Sequence, residues 1–190
     1  MSLKQTAAPS VEPVTATSQK EWMRVDGSDE DTLIGNLAAA ARGYFEMSSR
    51  RQCITATWTY KISEFPTGDL LLPISPLQSV TSIQYVDTDG ATQTWSNTKY
   101  TVDTASDTGR VRPNYDEDWP IVRGYVNDIT ITFVAGYGDA ASDVPDGALT
   151  AIKLLAANWF ENREANAATK LNEVPMALEA LIWQFKDGAI

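Results

Sequence analysis

Residues Ile129 to Phe160 read ITITFVAGYGDAASDVPDGALTAIKLLAANWF, and the fold turns on how this stretch is parsed. A strand-like run, Ile129 to Val134, leads into Gly136-Tyr137-Gly138-Asp139-Ala140-Ala141, and a helical pattern follows. Glycines spaced G-x-G-x-x-A between a strand and a helix have the order of a dinucleotide-binding loop. In such a loop the helix begins at the glycines, so that its free N–H groups face the phosphates. Here the first helical turn is expected several residues later, at Pro145, and Asp139 and Asp143 place negative charge where a pyrophosphate would sit. The run also alternates Thr with Ile and Phe, whereas a buried parallel strand is continuously apolar. No second strand follows to supply a ribose-binding acid, since Glu161 and Glu164 fall in the helix itself. The stretch therefore reads as a half-buried strand, a glycine turn and a helix, with no cofactor.

Working upstream, the same period of two governs the middle of the chain. Ile54, Ala56, Trp58, Tyr60 and Ile62 alternate with Thr55, Thr57, Thr59 and Lys61, the pattern of a half-buried strand. Further strands are expected at 69–72, 79–87, 92–95, 99–103, 109–112 and 128–134. Asp89-Gly90 marks a hairpin turn, because that pair accepts positive φ at little cost. Closely spaced strands with tight turns predict an antiparallel, meander-like sheet.

Both ends of the chain follow helical spacing. Ser18-Gln19-Lys20-Glu21 has the spacing of a capping box and predicts a short helix ending at Gly27. Ser28 to Asp31 opens a longer one, with Leu33, Ile34, Leu37, Ala41, Tyr44 and Phe45 along one face. Val144-Pro145 introduces a helix bearing Ala148, Ala151, Ile152, Leu155 and Trp159. Val174-Pro175 introduces a last one bearing Leu178, Leu181, Ile182 and Phe185. Proline suits a first helical turn because its missing N–H would be unpaired there. The predicted fold is α+β: a helical base built from N-terminal and C-terminal helices, with a central antiparallel β-rich insertion. Residues 1–16, rich in Pro, Ser, Thr and Ala, are expected to form a flexible N-terminal arm. Residues 17–185 are expected to form a single domain, with helices at 18–25, 29–49, 145–163 and 175–185 around a β region at 53–134. Residues 186–190 form a C-terminal tail.

Composition excludes several chemistries. The 190 residues contain no histidine, which removes the commonest general base and every Ser-His or Cys-His nucleophile. Cys53 is alone, so no intrachain disulfide and no Cys/His zinc cage can form. It reads as a small buried residue. A net charge of −10 opposes grip on nucleic acid through phosphate neutralisation. No apolar run approaches the ~18 residues of a membrane span, and no signal-peptide core is present. The chain is expected to be soluble and made in a reducing cytosol. Asp87-Thr88-Asp89-Gly90 starts like a calcium loop, but Ala91, Thr92 and Thr98 occupy positions where ligands and glycine are required. Asp116-Glu117-Asp118 reads as a solvated loop rather than an acid–base pair. No metal and no catalytic residue is expected, and a histidine-free carboxylate hydrolase finds no site. Of the six tryptophans, Trp22, Trp58, Trp159 and Trp183 are placed in the core. Trp95 and Trp119 lie near turns, where core or a protein interface is favoured over stacking on a sugar, the role they would share with Tyr115 in a ligand-binding module.

The order of these phrases carries a resemblance. Glu12-Pro13-Val14, Lys20 to Val25, Glu30-Asp31 and Ala38 to Arg42 with Tyr44 and Glu46 come first. Leu70-Leu71-Leu72-Pro73-Ile74-Ser75-Pro76-Leu77-Gln78-Ser79-Val80 follows, then Ile83 to Asp87 and Asp89-Gly90. Tyr100 to Asp103, Trp119-Pro120, Phe133 to Gly138, Val144-Pro145 and Ala151-Ile152 through Trp159-Phe160 to Arg163-Glu164 complete the series. Together they resemble tailed-phage head–tail connectors of the phiE125 gp8-like and gene-transfer-agent adaptor type, from about Pro13 to Phe185.

The resemblance implies a ring of about twelve copies in the virion neck, made in the bacterial cytoplasm. It also implies a portal protein on one side, a stopper or tail-terminator protein on the other, and DNA passing through without sequence-specific binding. No membrane and no enzymatic activity are implied. In relatives the C-terminal segment reaches into the portal, which here points to Lys186, Asp187, Gly188, Ala189 and Ile190. The other reading of the residues is a β-rich ligand- or carbohydrate-binding module with helical flanks.

Overall fold

The computed structural model describes residues 1–162 and 176–186. Its chain falls into two compact units, one of Met1–Pro9 with Thr55–Tyr137, the other of Ser10–Ile54 with Gly138–Ile190. The sequence pattern had suggested one domain. Mixed helix and antiparallel sheet, with helices flanking a β-rich middle, is the α+β class expected.

The first unit holds two antiparallel sheets. One has five strands in the order β1-β2-β8-β4-β5, formed by Ser2–Ala7, Ala56–Ile62, Ile129–Ala135, Leu77–Val86 and Thr92–Trp95. The other is β3-β7-β6, formed by Leu70–Leu71, Arg110–Pro113 and Tyr100–Asp103. β8 is central. Ala56 to Ile62 pair with Ala135 to Ile129 on one side, and Leu77 to Tyr85 pair with Ala135 to Ile129 on the other, across two register shifts. Ile129, Ile131, Phe133 and Ala135 are fully buried while Thr130, Thr132 and Val134 are half-buried, which is the alternation the sequence displays. Leu70, Leu72, Leu77, Ile83, Trp95, Tyr100 and Val111 complete the core.

Two expectations are corrected here. The sheet is not a meander, because β8, the last strand in sequence, lies between β2 and β4. The flexible arm is not an arm over its first residues. Ser2–Ala7 forms β1, with Ser2, Leu3, Lys4 and Gln5 opposite Lys61, Tyr60, Thr59 and Trp58. Its stability comes from backbone bonds to the edge of β2, with Leu3 packed on the core. Composition alone cannot register that pairing.

The second unit packs helices. α1, Ala16–Met23, begins one turn earlier than the expected capping box, because the Thr15 hydroxyl accepts from Ser18 N at 3.2 Å. α2 spans Asp31–Ser49 and α3 spans Asp146–Glu161. α2 buries Ile34, Ala38, Ala41, Phe45 and Ser49, so its inward stripe is rotated from the expected one and leaves Leu33 exposed. α3 buries Ala148, Ala151, Ile152, Leu155 and Ala156. Alanines on both helices let them approach closely, and Trp159 meets Tyr44 edge-on at 6.3 Å rather than filling the core. α4, Met176–Trp183, buries Leu178 and Ile182. The expected helix ends at 163 and 175 lie outside the described residues.

Two glycines give opposite predictions. A Cβ at Gly109 would overlap the Leu77 side chain, with Leu77 Cγ at 2.9 Å. Gly109→Ala therefore overpacks the β core and should cost about 1–3 kcal/mol in denaturant unfolding. Gly43 lies exposed in the middle of α2 with nothing within 4 Å of an added Cβ. Gly43→Ala should stabilise by about 0.5–1 kcal/mol through backbone entropy alone.

Candidate functional site

The glycine turn after β8 is closed. Gly136 N donates to Pro76 O at 3.0 Å, Gln78 Nε2 donates to Gly136 O at 2.8 Å, and Ile54 bridges Gly138. Asp143 folds back so that its Oδ2 accepts from Ala140 N at 2.9 Å. A Cβ on Gly138 would run into Asp143, with its Cβ at 2.6 Å. A short 3₁₀ turn, Ala141–Asp143, precedes α3, whose N-cap is Pro145. The glycine next to Tyr137 thus admits a carboxylate, not a phosphate.

The other candidate centres are also accounted for by local geometry. Asp87 Oδ1 accepts from Asp89 N at 3.0 Å and Ala91 N at 2.9 Å, and Oδ2 accepts from Gln93 Nε2 at 2.8 Å. The Gln93 amide and then the Ala91 N–H hold this carboxyl below its usual range. Its oxygens serve the β4–β5 hairpin, where Gly90 has φ +85°. Glu117 of the acidic run pairs with Lys99 at 3.1 Å. Cys53 is fully buried, and burial followed by the nearby Glu46 charge pushes its thiol far up, which leaves it inert. Glu46 itself accepts from Arg42 Nη1 at 2.6 Å, Gln52 Nε2 at 2.8 Å and Cys53 N at 3.0 Å, tying the end of α2 to the chain beyond it. Among the described residues no cluster of His, Cys, Asp or Glu has the makings of a metal site. No helix among them is long and apolar enough to cross a membrane.

The tryptophans divide between core and surface. Trp95, for which core or a protein interface is the favoured expectation, is only 6% exposed and packs on Tyr100 at 5.0 Å and Trp119 at 5.1 Å, a core position. Trp119 stacks on Phe65 at 4.6 Å and donates Nε1–H to Gly68 O at 3.3 Å. Trp95 therefore offers no free face of the kind a sugar ring needs, and Trp119 has one face taken by Phe65. Trp183, expected in the core, is 69% exposed, with Lys186 Nζ 5.3 Å from its ring, and Trp22 is also exposed, with Lys153 Nζ at 5.8 Å. Of the predicted C-terminal contact residues only Lys186 falls among the described residues, and it is exposed. Asp187, Gly188, Ala189 and Ile190 lie outside them. The residues leading to Lys186 are anchored: Phe185 O accepts from Arg51 Nε at 2.9 Å, and the Phe185 ring meets Phe45 edge-on at 5.4 Å.

The sequence patterns single out Tyr115, the acidic run and Trp119-Pro120, but not the whole segment Asn114–Asn127 between β7 and β8 to which they belong. It has no regular structure but is held at many points. Asn114 N donates to Lys99 O, Arg123 N to Val86 O, and Asn127 N to Ser63 Oγ, at 3.0, 3.0 and 3.2 Å. Asp128, itself buried, accepts from Arg123 Nη2 at 2.8 Å and from Tyr125 N at 2.7 Å. Burial pulls that carboxyl upward, but the Arg123 guanidinium and the Tyr125 N–H outweigh it and keep it below the usual range. The signal that could have found this segment is its length without periodicity, since a loop of about 14 residues in a compact domain usually has a task.

Three solved structures share this fold over the whole chain. A chain in the neck of an empty gene transfer agent particle, with C6 symmetry, superposes with a TM-score of 0.82 at 23% identity. A chain in the virion of a native gene transfer agent particle gives 0.83 at 21%, and one in the native neck with C12 symmetry gives 0.74 at 23%. Each match covers 100% of this chain and 97% of the other. The fold is one found in gene transfer agent particles. No protein-family model and no curated protein matches the chain.

One charge-based prediction follows from the β unit. Asp103 accepts from Ser106 Oγ at 2.6 Å, from Ala105 N and Ser106 N, and from Arg110 Nε at 3.0 Å. The Ser106 hydroxyl and these N–H groups lower its carboxyl to about 2. An unfolded Asp titrates near ~3.9, so this contribution is complete above that pH and is lost as pH falls through about 2. Thermal melts should show Asp103→Asn less stable than wild type at pH 6, with the gap closing between pH 4 and pH 2.

Proposed function

We propose that the chain is a structural adaptor of a tailed-phage or phage-like neck, forming a ring that joins the portal to the next neck or tail component around the DNA channel. The observation that carries this reading is the end-to-end correspondence of fold with chains of gene transfer agent necks. The match spans 100% of one chain and 97% of the other, so the shared fold extends over the whole chain rather than one module. The phrase order from about Pro13 to Phe185 supports the same reading independently. Copies arranged by rotation require head-to-tail contacts that close on themselves. Symmetries of C6 and C12 in the matched necks agree with such an arrangement, and twelve copies is the number proposed.

A net charge of −10 suits a component beside moving DNA. An acidic or neutral channel face repels the duplex and lets it slide, where a basic one would hold it. In this reading Lys186–Ile190 enters the portal, continuing from the anchored Phe185. The chain would be made in the bacterial cytoplasm and reside in the virion neck, as a structural part and not an enzyme. The carbohydrate-binding reading is weakened by the burial of Trp95 in its own aromatic cluster.

Negative-stain electron microscopy of the full chain mixed with the portal protein of the same genome tests the proposal. A second ring capping one end of the portal is expected, and it should be lost when residues 186–190 are deleted. A bare portal beside folded, monomeric protein would sink the adaptor reading.

A further inference from the structure

The end of the β unit made by Ser63–Leu71 and Asn114–Asn127 gathers several exposed apolar side chains on an ordered frame. Ile121 and Val126 are each 79% exposed, and Tyr115, Tyr125 and Leu71 are exposed beside them. Large apolar side chains held out in water on an ordered frame mark an interaction surface. The frame here is ordered by the Trp119–Phe65 stack, the Trp119–Gly68 bond and the buried Asp128. Docking to it costs little conformational entropy, as in pre-organised complexes.

Next to the Trp119–Phe65 stack the surface is concave. A depression of about 490 Å³ is lined by Tyr60, Ile62, Phe65, Pro66, Leu70 and Leu71. Asp69 also lines a neighbouring one of about 420 Å³, which in turn shares Arg112 and Pro113 with a third of about 300 Å³. The three therefore form one continuous surface. Its charges are unequal. Arg110 pairs with Asp103 at 3.0 Å and Asp69 at 3.4 Å, Arg112 pairs with Asp69, and Lys99 pairs with Glu117. Glu64 and Asp118 have no such partner among the described residues, so the rim is left acidic around an apolar floor.

We infer that this end of the β unit is the docking surface for a different neck protein, one that presents an apolar or aromatic side chain flanked by Lys or Arg. The inference rests on the neck reading above and names a partner surface within it. A second copy of this chain is the poorer occupant. With 25 acidic against 15 basic residues, a copy has fewer basic than acidic segments to offer the acidic rim. The apolar side chains fill the depressions and supply the hold, while the rim selects the basic partner and steers its approach.

The test places the photo-crosslinking residue benzoylphenylalanine at Ile121 in the full chain, inside assembling particles. Position Gly43, exposed on α2, serves as the control. The expected product joins Ile121 to a different neck polypeptide at a segment where Lys or Arg flanks an apolar side chain. Ile121→Asp with Val126→Asp should reduce incorporation into particles at least tenfold, while the purified variant keeps the wild-type melting profile. An adduct between two copies of this chain overturns the inference, as does no adduct beyond the Gly43 control. Wild-type incorporation of the double variant overturns it too. If the wild-type chain is itself missing from purified particles, the neck reading fails first and takes the docking surface with it.

Discussion

The structure depends on a single strand being hydrogen-bonded from both sides. β8 supplies Ile129, Ile131 and Phe133 to the centre of the β core, and none of the three touches water. Every backbone group of a strand so deeply placed must find a partner. The partners are β2 and β4, which precede it in the chain by more than forty residues. Closing the sheet therefore loops out everything between Ala56 and Ile129, at an entropic cost. Short hairpins and a tethered loop fill that interval. The two register shifts in β4 let nine residues, Leu77 to Tyr85, follow seven of β8.

The same strand determines why the glycine pattern means nothing for nucleotides. Because β8 is antiparallel to both neighbours, the chain leaving it does not enter a βαβ crossover. Gly136 instead passes its N–H to Pro76 and its carbonyl to Gln78, and Gly138 gives its space to Asp143. A phosphate loop needs N–H groups left free at a helix start. Here those groups are spent on the turn, and the helix begins later at Asp146. The alternation of Thr with Ile and Phe already contained this outcome, because a strand with one half-exposed face cannot be the interior of a parallel sheet.

Local periodicity made most elements legible, and long-range pairing made the rest illegible. The strands around Trp58, Ile83, Tyr100 and Ile131 and the helices carrying Phe45 and Leu155 announce themselves by spacing, which is a property of neighbouring residues. Strand β1 does not, since Ser-Leu-Lys-Gln-Thr-Ala has a single large apolar side chain and gains its order from the edge of β2. The place of β8 between β2 and β4 is likewise a fact about distant segments. The places of the tryptophans are likewise set by distant segments. Trp95 lies beside a turn in sequence, yet it is buried because Phe65, Tyr100 and Trp119 converge on it from three other segments. Trp183 matches an apolar helix but lies off the Leu178–Ile182 stripe that faces inward. Of the candidate contact residues, Lys186 was placed by resemblance and not by any physical signal of its own.

The exposed side chains of Asn114–Asn127 are best weighed against that aromatic cluster. Trp119 lies in the same segment as Tyr115, Ile121, Tyr125 and Val126, and it turns inward while they turn out. A loop under selection only for solubility would carry polar residues at those outward positions, as its own Asp116 and Asp118 do. Burying Ile121 and Val126 at a partner surface would recover roughly 1.5–3 kcal/mol each. Leaving them exposed forgoes that stabilisation in the free protein while the loop remains tethered through Arg123, Asn127 and Asp128. The tethering is what separates an interface from a loose end. A mobile loop could hide its apolar groups by collapsing onto the sheet, but one fixed by Asp128 must hold them where a partner can reach them.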